Sequence, residues 1–374
     1  MTSLAQLSVY DTKNVLVTGH TGFKGSWLSF WLASLGAKVV GYALEPGSTP
    51  DHFSLVRPNV ESVLGDIRDL DGVLSVFKHT KPEIVFHLAA QPLVRRSYRE
   101  PLTTLSTNIM GTANILEACR LSNSVRAVVV VTSDKCYTNQ EWVWGYREID
   151  PMGGHDPYSA SKGCAELVTA SWRNSFFPTD DYGNTHQVLL ASVRAGNVIG
   201  GGDWGEDRLI PDLVRAATSG KPACIRHPEA IRPWQHVLDP LSGYILLGKM
   251  LLQGDAEYAD AWNFGPSHED CLSVGKIVRR FKETWDTLVF DLEAEAHNRL
   301  HEANILRLDC SKARQKLGWH PVWDSDEALK KTVHWYKSYY LDGMVKTEQD
   351  LRDYLSGVEG IQAGSNREAH RAGC

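Results

Sequence analysis

Short β-branched runs alternate with amphipathic stretches over the first two thirds of the chain, and that alternation leaves few folds open. Residues 15–18, 38–42, 84–88, 125–132 and 188–194 are dominated by apolar residues, as strands buried on both faces must be. Between them, 22–35, 69–79, 104–121 and 158–174 carry apolar residues at helical spacing. Buried strands joined by helical crossovers predict an α/β fold, a Rossmann-type doubly wound parallel sheet. After Gly196-Asn-Val-Ile-Gly-Gly-Gly-Asp203 the rhythm breaks into segments rich in Gly, Pro and Trp, the composition of irregular specificity loops. The expected division is therefore a dinucleotide-binding domain over 8–196, with segments near 236–265 returning to it. A smaller, mostly C-terminal lobe takes 197–235 and 266–350. The tail 360–374 has no apolar periodicity and is expected to lack fixed structure.

Composition narrows the function. A net charge of −6 and a pI near 6.2, with no polybasic block, argue against a nucleic-acid partner. The seven cysteines are scattered without a C-x-x-C pair, the pattern of reduced thiols rather than of disulfides or a metal site. The N-terminus MTSLAQLSVYDTKN lacks a basic region followed by an apolar one, and no apolar run approaches the roughly 20 residues of a membrane helix. The expectation is a soluble cytoplasmic protein without metal, and without nucleic-acid or membrane partners.

Gly19-His-Thr-Gly22-Phe-Lys-Gly25 follows the first strand and opens the first helix. Glycines there let the backbone turn tightly beside a pyrophosphate while the helix N-terminus supplies amide donors. Gly19, Thr21, Gly22, Phe23, Lys24 and Gly25 are thus candidate contacts to NAD. The position at the end of the second strand that usually holds an acid for the adenosine ribose is Ala43, with Glu45 two residues late. No basic residue follows until Arg57, which favours NAD over its phosphorylated form. Asp66 and Ile67, after a short strand 61–64, are expected at the adenine. Leu88, Ala89 and Ala90 end the next strand with little bulk and allow close approach.

Tyr158 and Lys162 lie one helical turn apart, so they share a helix face. A free tyrosine has a pKa near 10, and a neighbouring ammonium favours the phenolate that a base requires. Lys162 can also bond the nicotinamide ribose, which makes both residues cofactor contacts as well. Y-x-x-x-K alone recurs by chance; here it follows Thr132-Ser133-Asp134-Lys135 at a strand end. Thr132 is expected to bond the hydroxyl being oxidised, Asp134 to protonate a leaving hydroxyl, and Lys135 to remove a carbon-bound proton. Two acid/base couples beside one nicotinamide describe oxidation followed by elimination, a dehydratase that borrows a hydride and returns it. Ser133, Asn197, Arg208, Arg232 and His236 are the candidate substrate contacts, the arginines because a guanidinium matches phosphate oxygens.

The motifs GHTGFKGSWLS (19–29), TSDKCY-x-N-x-EWVWGYRE (132–148), DPYSASKGCAEL (156–167), SVRAGNVIGGGDW (192–204) and RPWQHV (232–237) resemble the extended short-chain dehydrogenases. Within them the pattern is most similar to the CDP-D-glucose 4,6-dehydratases, over about residues 8–350. The related dTDP-glucose enzymes have Asp-Glu where this chain has Asp134-Lys135, so the resemblance leaves the C5 base open. It implies a lyase acting on CDP-glucose with tightly held NAD, a product that feeds dideoxysugars of bacterial surface polysaccharides, and a homodimer through the helices 104–121 and 158–174, possible also as a homotetramer. Two other readings share the fold. A nucleotide-sugar epimerase needs Tyr158, Lys162 and NAD but no Asp134-Lys135 couple, and a redox-sensing binding module needs neither couple.

Overall fold

The computed structural model describes residues 4–292 and 304–372, with side chains described over 7–292 and 304–359. Seven parallel strands form the central sheet: β1 (Asn14–Thr18), β2 (Lys38–Ala43), β3 (Val60–Leu64), β4 (Ile84–His87), β5 (Ala127–Val131), β6 (Leu189–Ala195) and a last strand, Ala261–Phe264. Their order is β3-β2-β1-β4-β5-β6, closed by Ala261–Phe264 beside β6, and every neighbouring pair is parallel. This is the doubly wound order in which the chain reverses direction across the sheet between β1 and β4.

Period-2 alternation sends successive strand residues to opposite faces. Val15, Val17, Phe86 and Val129 pack with Trp27, Trp31, Leu241 and Ile245 on one face. Leu16, Val85, Val128 and Leu190 pack with Val73, Phe77, Ile115 and Leu116 on the other. Both layers are dry, which is why these strands read as continuous apolar runs.

The segment 197–234 is more regular than its composition suggests. It contains the amphipathic helix Leu209–Ser219, ended by Gly220 at φ 70°, with Pro211 in the first turn, where a missing N–H costs nothing. Three short ladders tie the smaller lobe together: Val198–Ile199 with Gln235–His236, Ile231–Pro233 with Cys271–Ser273, and Ala223–Ile225 with Phe290–Leu292. The expected helix 104–121 begins at Pro101 and passes through a π-helical turn, Ser106–Met110.

The tail is corrected as well. A helix runs over Thr347–Ala372, so residues 360–372 continue it; 373–374 lie outside the described residues. Its start is anchored: Tyr354 packs edge-on against Trp31 and Trp323 and donates to Asp239 Oδ1 at 3.0 Å. Thr347 bonds His52 and Trp335 at 2.8 and 3.0 Å. A helix already nucleated by packing extends at little further cost. The chain's start is tied in similarly, Tyr10 donating to the Ile245 carbonyl at 2.6 Å. Among the described residues, no helix is long and apolar enough to cross a membrane.

Behind the C-terminal end of β5 lies a buried ion pair. Arg194 of β6 donates to Glu166 of the helix Pro157–Ser175 at 2.8 Å, and both are about 4% exposed. Glu166 also accepts from Ser192 at 2.7 Å and from Thr132. Arg194 reaches Tyr137 at 2.6 Å and the Glu148 carbonyl at 3.0 Å. Burial opposes charge on Glu166, but the guanidinium and these donors outweigh it and hold the carboxyl below its ordinary range. Removing one partner of a buried pair strands the other. Glu166→Ala should therefore cost about 3–5 kcal/mol of stability, measured by urea unfolding; an unchanged midpoint refutes the pair's structural role.

Candidate active site

Parallel strands all point their C-terminal ends the same way, and ligands of open α/β sheets bind outside that edge. The glycine loop follows β1, Asp66 follows β3, Leu88–Ala90 follow β4, Thr132–Lys135 follow β5, and Asn197 follows β6. Topology thus gathers at one edge residues that lie between Gly19 and Asn197 in the sequence.

The loop after β1 is a cradle built of backbone. Gly19 adopts φ +79°, a conformation in which a Cβ would come 2.7 Å from the Ala89 amide nitrogen. A Cβ on Gly25 would overlap the Gly19 carbonyl. Gly22 caps the helix Phe23–Ser34 with no side-chain hydrogen bond, so its first amides stay available to an anion. Thr21 donates to the Leu44 carbonyl at 2.8 Å, which pins the loop to the end of β2. Phe23 packs toward Gly200. Ala43 is buried at the end of β2, so that strand end offers no acidic group to a ribose. His20 turns under the loop onto Gly41 and bonds Ser62 at 2.7 Å. Burial pushes its pKa down to about 4, so it stays neutral at pH 7.

Asp66 is held by Arg68, whose guanidinium lies 2.5 Å from Oδ2. Ile67 is buried against Gly111, and its carbonyl accepts from Asn114 at 2.9 Å. The β4 end is fixed by Thr18, which bonds His87 at 2.7 Å and accepts from the Ala89 amide at 3.2 Å.

The helix Pro157–Ser175 brings Tyr158 and Lys162 to the β5 end. Asp156 caps it by accepting from the Ser159 amide at 2.9 Å, and Pro157 takes its first position, a favoured N1 residue. Tyr158 is buried beside Ser133. Burial raises its pKa to about 12, with Ser133 and Arg208 acting the other way and Asp134 adding to the rise. Lys162 reaches the Val131 carbonyl at 3.4 Å. Burial lowers its pKa to about 8 against the opposing pull of Glu166.

Ser133 donates to Asp134 Oδ1 at 3.0 Å, and Lys135 Nζ lies 3.5 Å from the same oxygen. Asp134 is 1% exposed, and its Oδ2 takes no hydrogen bond from the described residues. That oxygen faces Gly196, where an added Cβ would stand 3.2 Å away. A buried acceptor left open beside a glycine suits an incoming hydroxyl.

Two sequence assignments change. Thr132 points its hydroxyl at Glu166 and the Val193 carbonyl, the latter at 3.3 Å, so it braces β5 against the buried ion pair. Ser133, one residue on, holds the place beside Tyr158. His236 has no exposure; it stands edge-on to Trp27 and Trp323 in the aromatic core. Burial drives its pKa down to about 3. Arg208 is gathered in: it grips Asp203 through two contacts of 2.9 Å and acts electrostatically on Tyr158 and Lys24. Arg232 donates to the carbonyls of Ile231 and Asn304 at 2.9 and 3.3 Å. Asn197 is half-buried, its carbonyl accepting from Gln235 at 3.1 Å.

Sequence reasoning missed Asn108 and, at the candidate cofactor contact Lys24, the reach of the side chain. Asn108, on the π-helical turn, bonds Ser161 at 2.8 Å and receives the Gln91 amide at 2.8 Å, locking the β4 loop to the catalytic helix. A buried Asn inside an otherwise helical run was its only signal. Lys24 was read through its backbone, yet its ammonium reaches Tyr244 at 3.3 Å. Burial and then Lys162 press its pKa down to about 7, while Asp134 opposes them.

Comparison with known proteins agrees with this geometry. The family model described as GDP-mannose 4,6 dehydratase matches residues 16–332. A CDP-glucose 4,6-dehydratase of Salmonella typhimurium is 53% identical over 93% of this chain and 98% of its own. A dTDP-glucose 4,6-dehydratase of Streptomyces antibioticus is 28% identical over 87% of this chain and 92% of its own. Among solved structures, an epimerase of Methanothermobacter thermautotrophicus superposes with a TM-score of 0.77 at 26% identity, covering 90% of this chain and 96% of that one. Matches that span the sheet, the glycine loop and the β5 edge alike place the chain in the GDP-mannose 4,6 dehydratase family, among the nucleotide-sugar dehydratases of the extended short-chain dehydrogenases.

Proposed function

We propose that this protein converts CDP-glucose to CDP-4-keto-6-deoxyglucose and water: oxidation at C4, elimination across C5–C6, and reduction at C6. The observation that supports it most is the proximity of two acid/base couples, Tyr158 with Lys162 and Asp134 with Lys135, with Ser133 beside Tyr158 and hydrogen-bonded to Asp134. An epimerase has no use for a buried carboxyl whose second oxygen stands open beside Gly196. The choice of cytidine rests on the Salmonella relative.

The donor set fits NAD. Gly19, Gly22 and Gly25 leave a side-chain-free cradle at a helix N-terminus, and Thr21, Phe23 and Lys24 belong to the same loop. Asp66, Ile67 and Leu88–Ala90 line the same edge, with Tyr158 and Lys162 at the nicotinamide end. Bound there, NAD supplies the hydride acceptor for C4 and the donor for C6. Tyr158 takes the C4 hydroxyl proton, and Ser133 rather than Thr132 orients that hydroxyl. Asp134 protonates the C6 hydroxyl as it leaves. Lys135 stands where C5 must lose its proton, which the ketone at C4 makes acidic. Arg208, Arg232 and Asn197 are the proposed contacts to the nucleotide diphosphate.

The assembly we propose is a cytoplasmic homodimer. Leu102 and Met110, 79% and 57% exposed, and Leu167, 60% exposed, lie on the adjoining helices 101–121 and 157–175. Large apolar residues exposed on neighbouring helices mark an interface. Leu167→Glu should then shift the sedimentation coefficient to that of a monomer; a wild-type protein that already sediments as a monomer rejects the dimer.

With a panel of nucleotide-glucoses, CDP-glucose should give the 4-keto product fastest, and deuterium placed at C4 should reappear at C6. Reduced cofactor accumulating once per turnover contradicts net dehydration.

Lys162 is costly to bury. Lys162→Met should abolish turnover yet raise the stability of the cofactor-free protein by up to about 3 kcal/mol near neutral pH. The sign follows from the lowered pKa: the native lysine is penalised fully below pH 8, and the penalty fades as pH rises from 8 toward 10.5. Equal unfolding midpoints for the two proteins at pH 7 contradict this.

A further inference from the structure

Buried hydrogen bonds run from the last helix to the glycine loop, and the bond from Thr347 to His52 spans 295 positions of sequence. Trp335 Nε1 lies 3.0 Å from Thr347 Oγ1, and that oxygen lies 2.8 Å from His52 Nε2. His52 Nδ1 lies 2.7 Å from Ser26 Oγ, which stands 2.9 Å from the Phe23 carbonyl oxygen. Trp335, Thr347, His52 and Ser26 are each at most 2% exposed, so water does not compete for these bonds.

The two ends dictate the direction of the chain. An indole N–H only donates, and a carbonyl oxygen only accepts. Trp335 therefore donates to Thr347, whose own hydroxyl hydrogen goes to His52 Nε2. An imidazole that accepts on Nε2 carries its proton on Nδ1, which donates to Ser26, and Ser26 donates to the Phe23 carbonyl. Burial pushes the His52 pKa down to about 3, so the ring is neutral, with one donor and one acceptor nitrogen as the chain requires. The ring is also held from outside the chain. It stacks on Trp27 at 4.8 Å and 12°, and Gly202, at φ +86°, passes so near that a Cβ would stand 2.3 Å from His52 Cδ2.

The last acceptor gives the chain its consequence. The Phe23 carbonyl and the Lys24 N–H belong to one planar, conjugated peptide. Lys24 is in the first turn of the helix Phe23–Ser34, where amides have no partner within the helix and are offered to an anion. A hydrogen bond accepted at that carbonyl draws electron density from the nitrogen and makes its N–H a stronger donor.

We propose that Thr347 and His52 are positioning residues for the cofactor: acting through Ser26, they polarise the Phe23–Lys24 peptide and hold the first turn of the cradle ready for the pyrophosphate of NAD. This rests on NAD occupying that cradle. Neither residue touches the cofactor, so the last helix contributes to its affinity from a distance.

The test titrates the full-length, cofactor-free enzyme by calorimetry with NAD and with ADP, which carries the pyrophosphate without the nicotinamide, and records Tm alongside. Thr347→Val keeps the side-chain shape but interrupts the chain, and should weaken both ligands by the same factor, about three- to tenfold. Thr347→Ser keeps the hydroxyl and should bind both as wild type does. Ser26→Ala removes the last link and should weaken both similarly. The double variant Ser26→Ala/Thr347→Val should bind no more weakly than the weaker single variant, because the two changes interrupt one chain. Factors that multiply in the double variant overturn the proposal. So does Thr347→Val with normal NAD affinity, even at a lowered Tm, Thr347→Ser as weak as Thr347→Val, or a loss confined to NAD and absent for ADP. Should Thr347→Val fail to fold, Ser26→Ala decides alone: wild-type affinity for both ligands overturns the chain. A wild-type enzyme that binds neither NAD nor ADP instead brings down the cofactor reading.

Discussion

The buried pair of Arg194 and Glu166 is the interaction on which the catalytic edge depends. It joins three elements that the chain makes separately: β6, the helix Pro157–Ser175 and the end of β5 through Thr132. Through Tyr137 it extends to Asn263 of the last strand at 2.8 Å. A buried ion pair is weak evidence for stability in itself but is sensitive to geometry. Every lone pair of Glu166 that the structure commits is committed to a neighbour of the site. The pair therefore acts as a jig: it sets how far Tyr158 and Lys162 stand from Ser133 and Asp134.

The same economy appears in front of the jig. Five strand ends converge on one edge, and the residues there use their side chains to fix one another before any ligand arrives. Thr18 fixes His87 and Ala89, and Asn108 fixes Gln91 and the catalytic helix. Among the groups left with open valence are two that the chemistry calls for: the amides at the start of the helix Phe23–Ser34 and Asp134 Oδ2. Preorganisation of this kind lets binding energy go to the reacting atoms rather than to ordering the protein.

The sheet, the glycine loop and the Tyr-Lys helix were legible because each is written in contiguous residues, as apolar runs or fixed spacings. What escaped the sequence depended on direction. Thr132 and Ser133 are neighbours with similar hydroxyls, and backbone alternation at the end of β5 decides which one faces Tyr158 and which one Glu166. Nothing in the composition states where that alternation stops. His236 sits in a motif with Arg232, yet Trp27 and Trp323 claim it. The helix Leu209–Ser219 was hidden among Gly, Pro and Trp, although its own eleven residues are amphipathic. The tail reads as polar because its anchor, Tyr354, lies upstream of it and answers to Trp31 and Trp323.

That anchor ties the two ends of the polypeptide in time as well as in space. Trp31 belongs to the first helix, and Tyr354, which covers it, is translated more than three hundred residues later. Tyr10 likewise waits for Ile245, and His52 for Thr347. Contacts of such sequence separation must close long loops before they are rewarded, which slows folding. On the ribosome the first two βα units therefore emerge with an aromatic face whose final cover arrives only when synthesis is nearly complete. Chaperone dependence in this protein should be concentrated in that interval, in nascent chains that carry the glycine loop but lack the final helix.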